Sequence, residues 1–149
     1  MSSTLYDTDY NQWIEQTTQQ LRERRFDCVD WDNLIEEIED MGKSQRRALE
    51  SLLTRLLEHL LKLSYWESEK ERAGNHWASE IVNFRYQIDK RLKDSPSLNP
   101  AIESMYAEIF PIALKSVSKL FPLPSDAMIS LSQALDDNWF PEASQSEEQ

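Results

Sequence analysis

Between Leu49 and Leu63 eight of fifteen positions are leucine, and the polar residues among them, Glu50, Ser51, Thr54, Arg55, Glu58, His59 and Lys62, fall so that no period-two alternation survives. Apolar residues recurring at intervals of three and four specify a helix, and a stripe this broad belongs to a helix covered on several sides. Each fully buried leucine contributes about 1.5 to 3 kcal/mol before conformational entropy opposes it, so the rest of the chain must wrap around this segment. With Glu58, His59 and Lys62 inside it, the run falls far short of the roughly 20 apolar residues that a membrane span needs.

The remainder reads the same way. Glycine occurs only twice, and period 3.6 returns in segment after segment, so the chain is expected to be all-α. The expectation is a compact bundle of about five to six helices around the central Leu-rich one, forming a single domain over residues 5–141 with a disordered tail over 142–149. The spacing predicts a first helix from Asp7 or Thr8 to about Arg24, burying Tyr10, Trp13, Ile14, Thr17 and Leu21. A second, N-capped by Asp30, puts Trp31, Leu34, Ile35, Ile38 and Met41 on one face and stops at Gly42, where a left-handed residue is cheap. The third, Ser44 to Tyr65, carries the leucines. Trp66 to Asn75 is charged, contains Gly74 and reads as a loop, with Asn75 capping a fourth helix from His76 to about Lys93. That helix buries Trp77, Ile81, Phe84, Ile88 and Leu92 and ends before Ser95-Pro96-Ser97. Asn99 as N-cap and Pro100 at the first helical position open a fifth, which Pro111 kinks or ends. Ser125 or Asp126 caps a last short helix to Leu135, and residues 136–141 are an extended strap packing through Trp139 and Phe140.

A chain of 149 residues buries roughly 70% of the surface it exposes when unfolded, which suffices for a core without disulfides. The lone Cys28 has no partner for an internal disulfide and the N-terminus carries no secretory pattern, so a reducing cytoplasm is the expected compartment. The net charge of -11 disfavours nucleic acid, whose phosphates demand clustered lysine and arginine. The charge is unevenly spread: residues 1–40 hold three basic and eleven acidic side chains, residues 41–95 eleven and eight, and the remainder two and eight.

Read in order, Tyr6-Asp7-x-Asp9-Tyr10-x-x-Trp13, Leu21-Arg22, Asp30, Glu36-Glu37-Ile38-Glu39-Asp40-Met41-Gly42, His59-Leu60-Leu61-Lys62, Trp77, Arg85, Ser95-Pro96-Ser97-Leu98 and Phe140-Pro141 resemble the DUF29 family across nearly the whole chain. The resemblance implies a small bacterial protein with an all-helical fold and no established activity. One departure is Tyr65-Trp66-Glu67-Ser68, where the family pattern has a proline-bearing loop.

On helical wheels Glu37, His59, Glu80 and Arg85 each border an apolar stripe, where side chains of packed helices meet. A carboxylate, an imidazole and a second carboxylate could bind a divalent metal or move protons, or could form a hydrogen-bonded network that fixes helix register. The Glu-x-x-His pairs of di-iron bundles, a His-Glu-x-x-His motif, a Cys pair and a phosphate loop are all missing. No catalytic residue is therefore assigned, no cofactor is implied, and metal occupancy stays open. His76 reads as solvent-facing, and Lys43, Arg46 and Arg47 read as charge partners of Glu36, Glu37, Glu39 and Asp40 across a Gly42 turn. Trp66, Trp139 and Phe140 are candidate contact residues. The reading favoured is a small cytosolic interaction or regulatory module with a protein partner or self-association. Its alternatives are a metal-dependent or acid-base enzyme using Glu37, His59 and Glu80, and an antitoxin-like or nucleic-acid-associated regulator.

Overall fold

Asp30 opens the longest element. Its carboxylate accepts from the Asn33 backbone N–H and from Asn33 Nδ2 at 3.4 and 2.7 Å, so it caps the helix that follows as expected. In the computed structural model, which describes residues 4–141, that helix runs unbroken from Trp31 to Tyr65. We number it α3, after α1 (Leu5–Thr8) and α2 (Tyr10–Arg22). The expected stop at Gly42 does not occur: Gly42 lies inside α3, and no glycine takes a positive φ among the described residues. One interior glycine costs about 1 kcal/mol relative to alanine, too little to end a helix flanked by Glu, Met, Lys, Arg and Leu. The turn that was to pair Lys43, Arg46 and Arg47 with the preceding carboxylates is therefore absent.

The expected loop over 66–75 is also helix. Only Trp66 interrupts, and α4 runs from Glu67 to Asp94 with Glu67 and Glu69 favourably placed in its first turn. Gly74 is buried, and a Cβ on it would stand 3.7 Å from Leu63 Cδ1 and 3.3 Å from Lys70 Cγ. This glycine serves the close packing of α4 back against the end of α3, not a break in the chain. A 3-10 turn, Pro96–Leu98, leads into α5 (Asn99–Ser118). Asn99 is already helical, and its Nδ2 donates to the Pro96 carbonyl at 3.0 Å instead of capping. The helix continues through Pro111. The last helix, α6, is shorter than expected, Leu131–Leu135, because Ser130 and Gln133 form a reciprocal capping box. The segment before α6 is extended and held by two phenols: Tyr65 accepts from the Met128 N–H at 3.1 Å and Tyr106 donates to the Ile129 carbonyl at 2.5 Å.

The protein is thus all-α, with six α-helices and no strand among the described residues, and none of its described helices is long and apolar enough to cross a membrane. Its contacts gather into two compact units, one ending at Gln45 and the other beginning at Arg46, and α3 supplies part of each. In the second unit all eight leucines of α3 are buried with Trp77, Ile81, Phe84 and Ile88 of α4 and Ile102, Met105, Ile109, Phe110, Ala113 and Val117 of α5. In the first unit the buried residues are few: Trp13, Thr17 and Gln20 on α2, and Val29. Tyr10, Ile14, Trp31, Ile35, Ile38 and Met41, expected in the core, are exposed. The α2 stripe ends in a turn in which Arg24 N–H reaches the Leu21 carbonyl and Arg25 N–H the Gln20 carbonyl. Arg24 closes it at φ 60°, a conformation usually taken by glycine. The terminal stretch expected to be disordered lies outside the described residues.

Candidate interaction surface and the polar residues

Glu37 stands on α3 in the first unit. It accepts a hydrogen bond from Tyr6 Oη at 2.5 Å and another from Tyr10 Oη. Two donors on the charged form hold its carboxyl below the usual carboxylate range, and the same bonds push both phenols up. The phenols are fixed in turn by ring contacts, with Tyr6 edge-on to Trp13 at 4.8 Å and Tyr10 stacked on Trp13 at 6.0 Å.

In the second unit His59 is half-buried on α3, and its Nδ1–H donates to the Arg55 carbonyl at 2.8 Å. Its ring stands edge-on to Phe84 of α4 at 5.1 Å. Burial lowers its pKa, while the Arg55 carbonyl and the charges of Glu80 and Glu58 raise it and Lys62 lowers it; the net direction is down. The imidazole is accordingly neutral near pH 7, with the Nδ1 proton on the backbone. Arg85 is buried on α4 and serves α6: Nε donates to the Ala134 carbonyl at 2.7 Å and Nη2 to the Gln133 carbonyl at 3.1 Å. Its guanidinium lies 5.0 Å above the Phe140 ring. The hydrogen bonds thus divide the polar residues among separate settings: Glu37 on phenols, His59 on its own helix within the field of the half-buried Glu80, Arg85 on the carbonyls of α6. Among the described residues no group of three or more His, Cys, Asp or Glu side chains could hold a metal ion.

The three aromatic candidates are engaged in packing. Trp66 is half-buried, stacked on Phe121 at 4.8 Å and on Trp77 at 5.7 Å. Trp139 and Phe140 lie partly buried against the core of the second unit, the placement expected of a strap.

What sequence reasoning missed is a surface. Between α2 and α3 of the first unit runs an open groove of about 270 Å³, lined by Tyr10, Trp13, Ile14, Thr17, Thr18, Leu21, Leu34, Glu37 and Met41. Trp13 and Thr17 are buried at its floor, while Ile35, Ile38 and Met41 along the same stretch of α3 are each more than half exposed, at 53, 55 and 58%. Large apolar side chains exposed together, rather than singly, mark an interaction surface more often than chance does. The signal was present in the sequence as an apolar stripe but read as core, because the stripe does not say whether anything in the same chain covers it. At one end the groove is anionic: Glu37 lines it, and the charges of Glu36 and Asp40 act on the adjacent phenols of Tyr6 and Tyr10.

No curated protein and no solved structure matches the chain. Residues 5–140 match the family described as Domain of unknown function DUF29, and the chain therefore belongs to it.

Proposed function

We infer that this protein is a helical interaction module whose contact surface is the apolar face of its first unit. One observation carries the reading: on two consecutive helices of one unit the exposed apolar side chains Tyr10, Ile14 and Met41 line a groove in which Trp13 is buried, and Trp31, Ile35 and Ile38 are exposed on α3 besides. A helix keeps such a stripe in water at a cost, since each of these side chains, about half exposed, forgoes roughly half of the 1.5 to 3 kcal/mol that full burial contributes. A partner that covers it recovers part of that energy, and buried aromatic and aliphatic anchors are where binding energy concentrates. Of the polar residues of the second unit, by contrast, Arg85 ties α4 to α6 and His59 bonds within α3.

The test places a photo-crosslinking amino acid at Ile35 or Ile38, with Glu103 of α5 as a control position, in cells that make the protein. The expected result is one discrete adduct from both α3 positions, mapped by mass spectrometry to a single partner segment, and none from position 103. Adducts of equal yield from all three positions, or none from α3, would remove the reading.

A further inference from the structure

If that face is the contact surface, the geometry points to one occupant: an amphipathic helix of another protein, lying along the α2–α3 groove with its apolar side chains inward and a lysine or arginine opposite Glu37. The groove has the dimensions of such a guest. Tyr10, Ile14, Thr17, Thr18 and Leu21 line it from α2, a span of about 16 Å at 1.5 Å per residue, or three helical turns. That length accepts anchors at i, i+3 or i+4, and i+7, the spacing used when a helix docks in a groove. Its volume of about 270 Å³ lies below the roughly 300 to 1,000 Å³ of pockets that enclose small molecules, and it is a trough, not a cavity.

The charge distribution selects the sign of the guest. Residues 4–45 hold eleven acidic and four basic side chains, and three of the basic ones, Arg22, Arg24 and Arg25, sit at the end of α2 away from Tyr10. Glu37 is ionised, receives two neutral phenol donors and has no lysine or arginine within ion-pair distance among the described residues. A cation brought to that end of the groove gains a partner without displacing one. The chain's own last eight residues, Glu142-Ala-Ser-Gln-Ser-Glu-Glu-Gln149, offer one alanine and three carboxylates, the wrong chemistry for both the groove and its charge. A second copy would reach Glu37 with its Arg22, Arg24 and Arg25 only if the two grooves lay antiparallel, and light scattering separates that case.

The experiment selects from a displayed library of about 20-residue helices, long enough to form four to five turns. Leucine is fixed at the i, i+3, i+4 and i+7 positions, and Lys, Gln and Glu are randomised on the flanks. The target is the full chain, counter-selected against Met41→Glu. Lysine should be enriched at the flank nearest Glu37, and the Lys-flanked peptide should bind at least about tenfold more tightly than its Glu-flanked twin. Glu37→Gln should narrow that ratio and flatten its salt dependence. Because Met41 is exposed, Met41→Glu should melt as the parent does, and Ile14→Glu provides a second groove variant. Equal binding of the two twins, or no enrichment over the Met41→Glu target, overturns the inference. So does light scattering that finds a dimer dispersed by Met41→Glu, which would make a second copy the occupant. If enrichment fails while Ile35 and Ile38 still cross-link to a partner, the contact surface stands and only the basic helix falls; if cross-linking fails as well, both fall.

Discussion

The two halves of α3 are written in the same apolar rhythm and meet opposite fates. From Leu49 onward every leucine on the stripe is enclosed, six of the eight with no exposed surface. From Trp31 to Met41 the side chains at the same spacing are 46 to 58% exposed on Trp31, Ile35, Ile38 and Met41. The difference teaches that amphipathic spacing decides that a helix forms and which face is apolar, but the elements folded against that face decide whether it becomes core. Around the second half, α4 and α5 supply Trp77, Phe84, Phe110 and their neighbours. Around the first half α2 is short, and Thr17 and Gln20 take two of the three places it buries.

Substitution should separate the halves most sharply in stability. Leu57→Ala removes a side chain with no exposed surface and should cost about 2 to 5 kcal/mol in urea unfolding. Ile38→Ala should stay within about 0.5 to 1 kcal/mol of the parent, as surface changes do. Equal losses would break the comparison, because they would mean that the first-unit face is covered.

A smaller effect is expected at Arg85, which ties α4 to the last helix. Arg85→Ala leaves the Ala134 and Gln133 carbonyls without their charged donor and should lower stability by about 2 to 3 kcal/mol. Arg85→Lys should restore only part of the loss, since one ammonium cannot reproduce the two-pronged contact. Thermal melts of the three proteins check this.

His59 sharpens the comparison through pH. Its folded-state pKa lies below the ordinary 6.5, so the unfolded chain binds more protons there and stability must fall as the solution is acidified. The contribution is complete above 6.5 and is lost as pH drops from there toward the folded value. Between about pH 7.5 and 5.5 the parent should lose more stability than His59→Gln does. A variant with the same pH slope as the parent would show that the imidazole is not held neutral.

The smallest effect is a gain. Arg24 sits at φ 60° in the turn after α2, where a side chain costs about 1 kcal/mol and glycine costs nothing sterically. Arg24→Gly should stabilise the protein by up to about 0.5 kcal/mol, much of the relief being offset by the greater freedom of glycine in the unfolded chain. A loss of stability in the same urea series would mean that the arginine makes a contact worth more than the strain.

Much of the architecture was legible in the residues. The leucine stripe, the Asp30 cap and the faces of α4 and α5 follow from spacing and capping chemistry. The helix limits were less so. Gly42 and Gly74 carry the same side chain, yet the first meets open space and the second meets Leu63 and Lys70, and neither ends a helix. What a glycine means depends on what approaches it, which a linear pattern does not contain. The candidate polar residues were found by type and wheel position, but their partners were not. Arg85 reaches carbonyls 48 and 49 residues away in the chain, and Glu37 reaches phenols 31 and 27 residues before it.

By itself, then, the sequence determined that the chain is helical, where its largest apolar stripe lies and which family it belongs to, because periodicity, capping and ordered motifs are properties of neighbours along the chain. Only the tertiary structure decided that α3 is one helix shared by two units, that Gly74 marks a close approach, and that the stripe from Trp31 to Met41 faces water. Burial is a relation between segments distant in sequence, and no local pattern specifies which of them will meet.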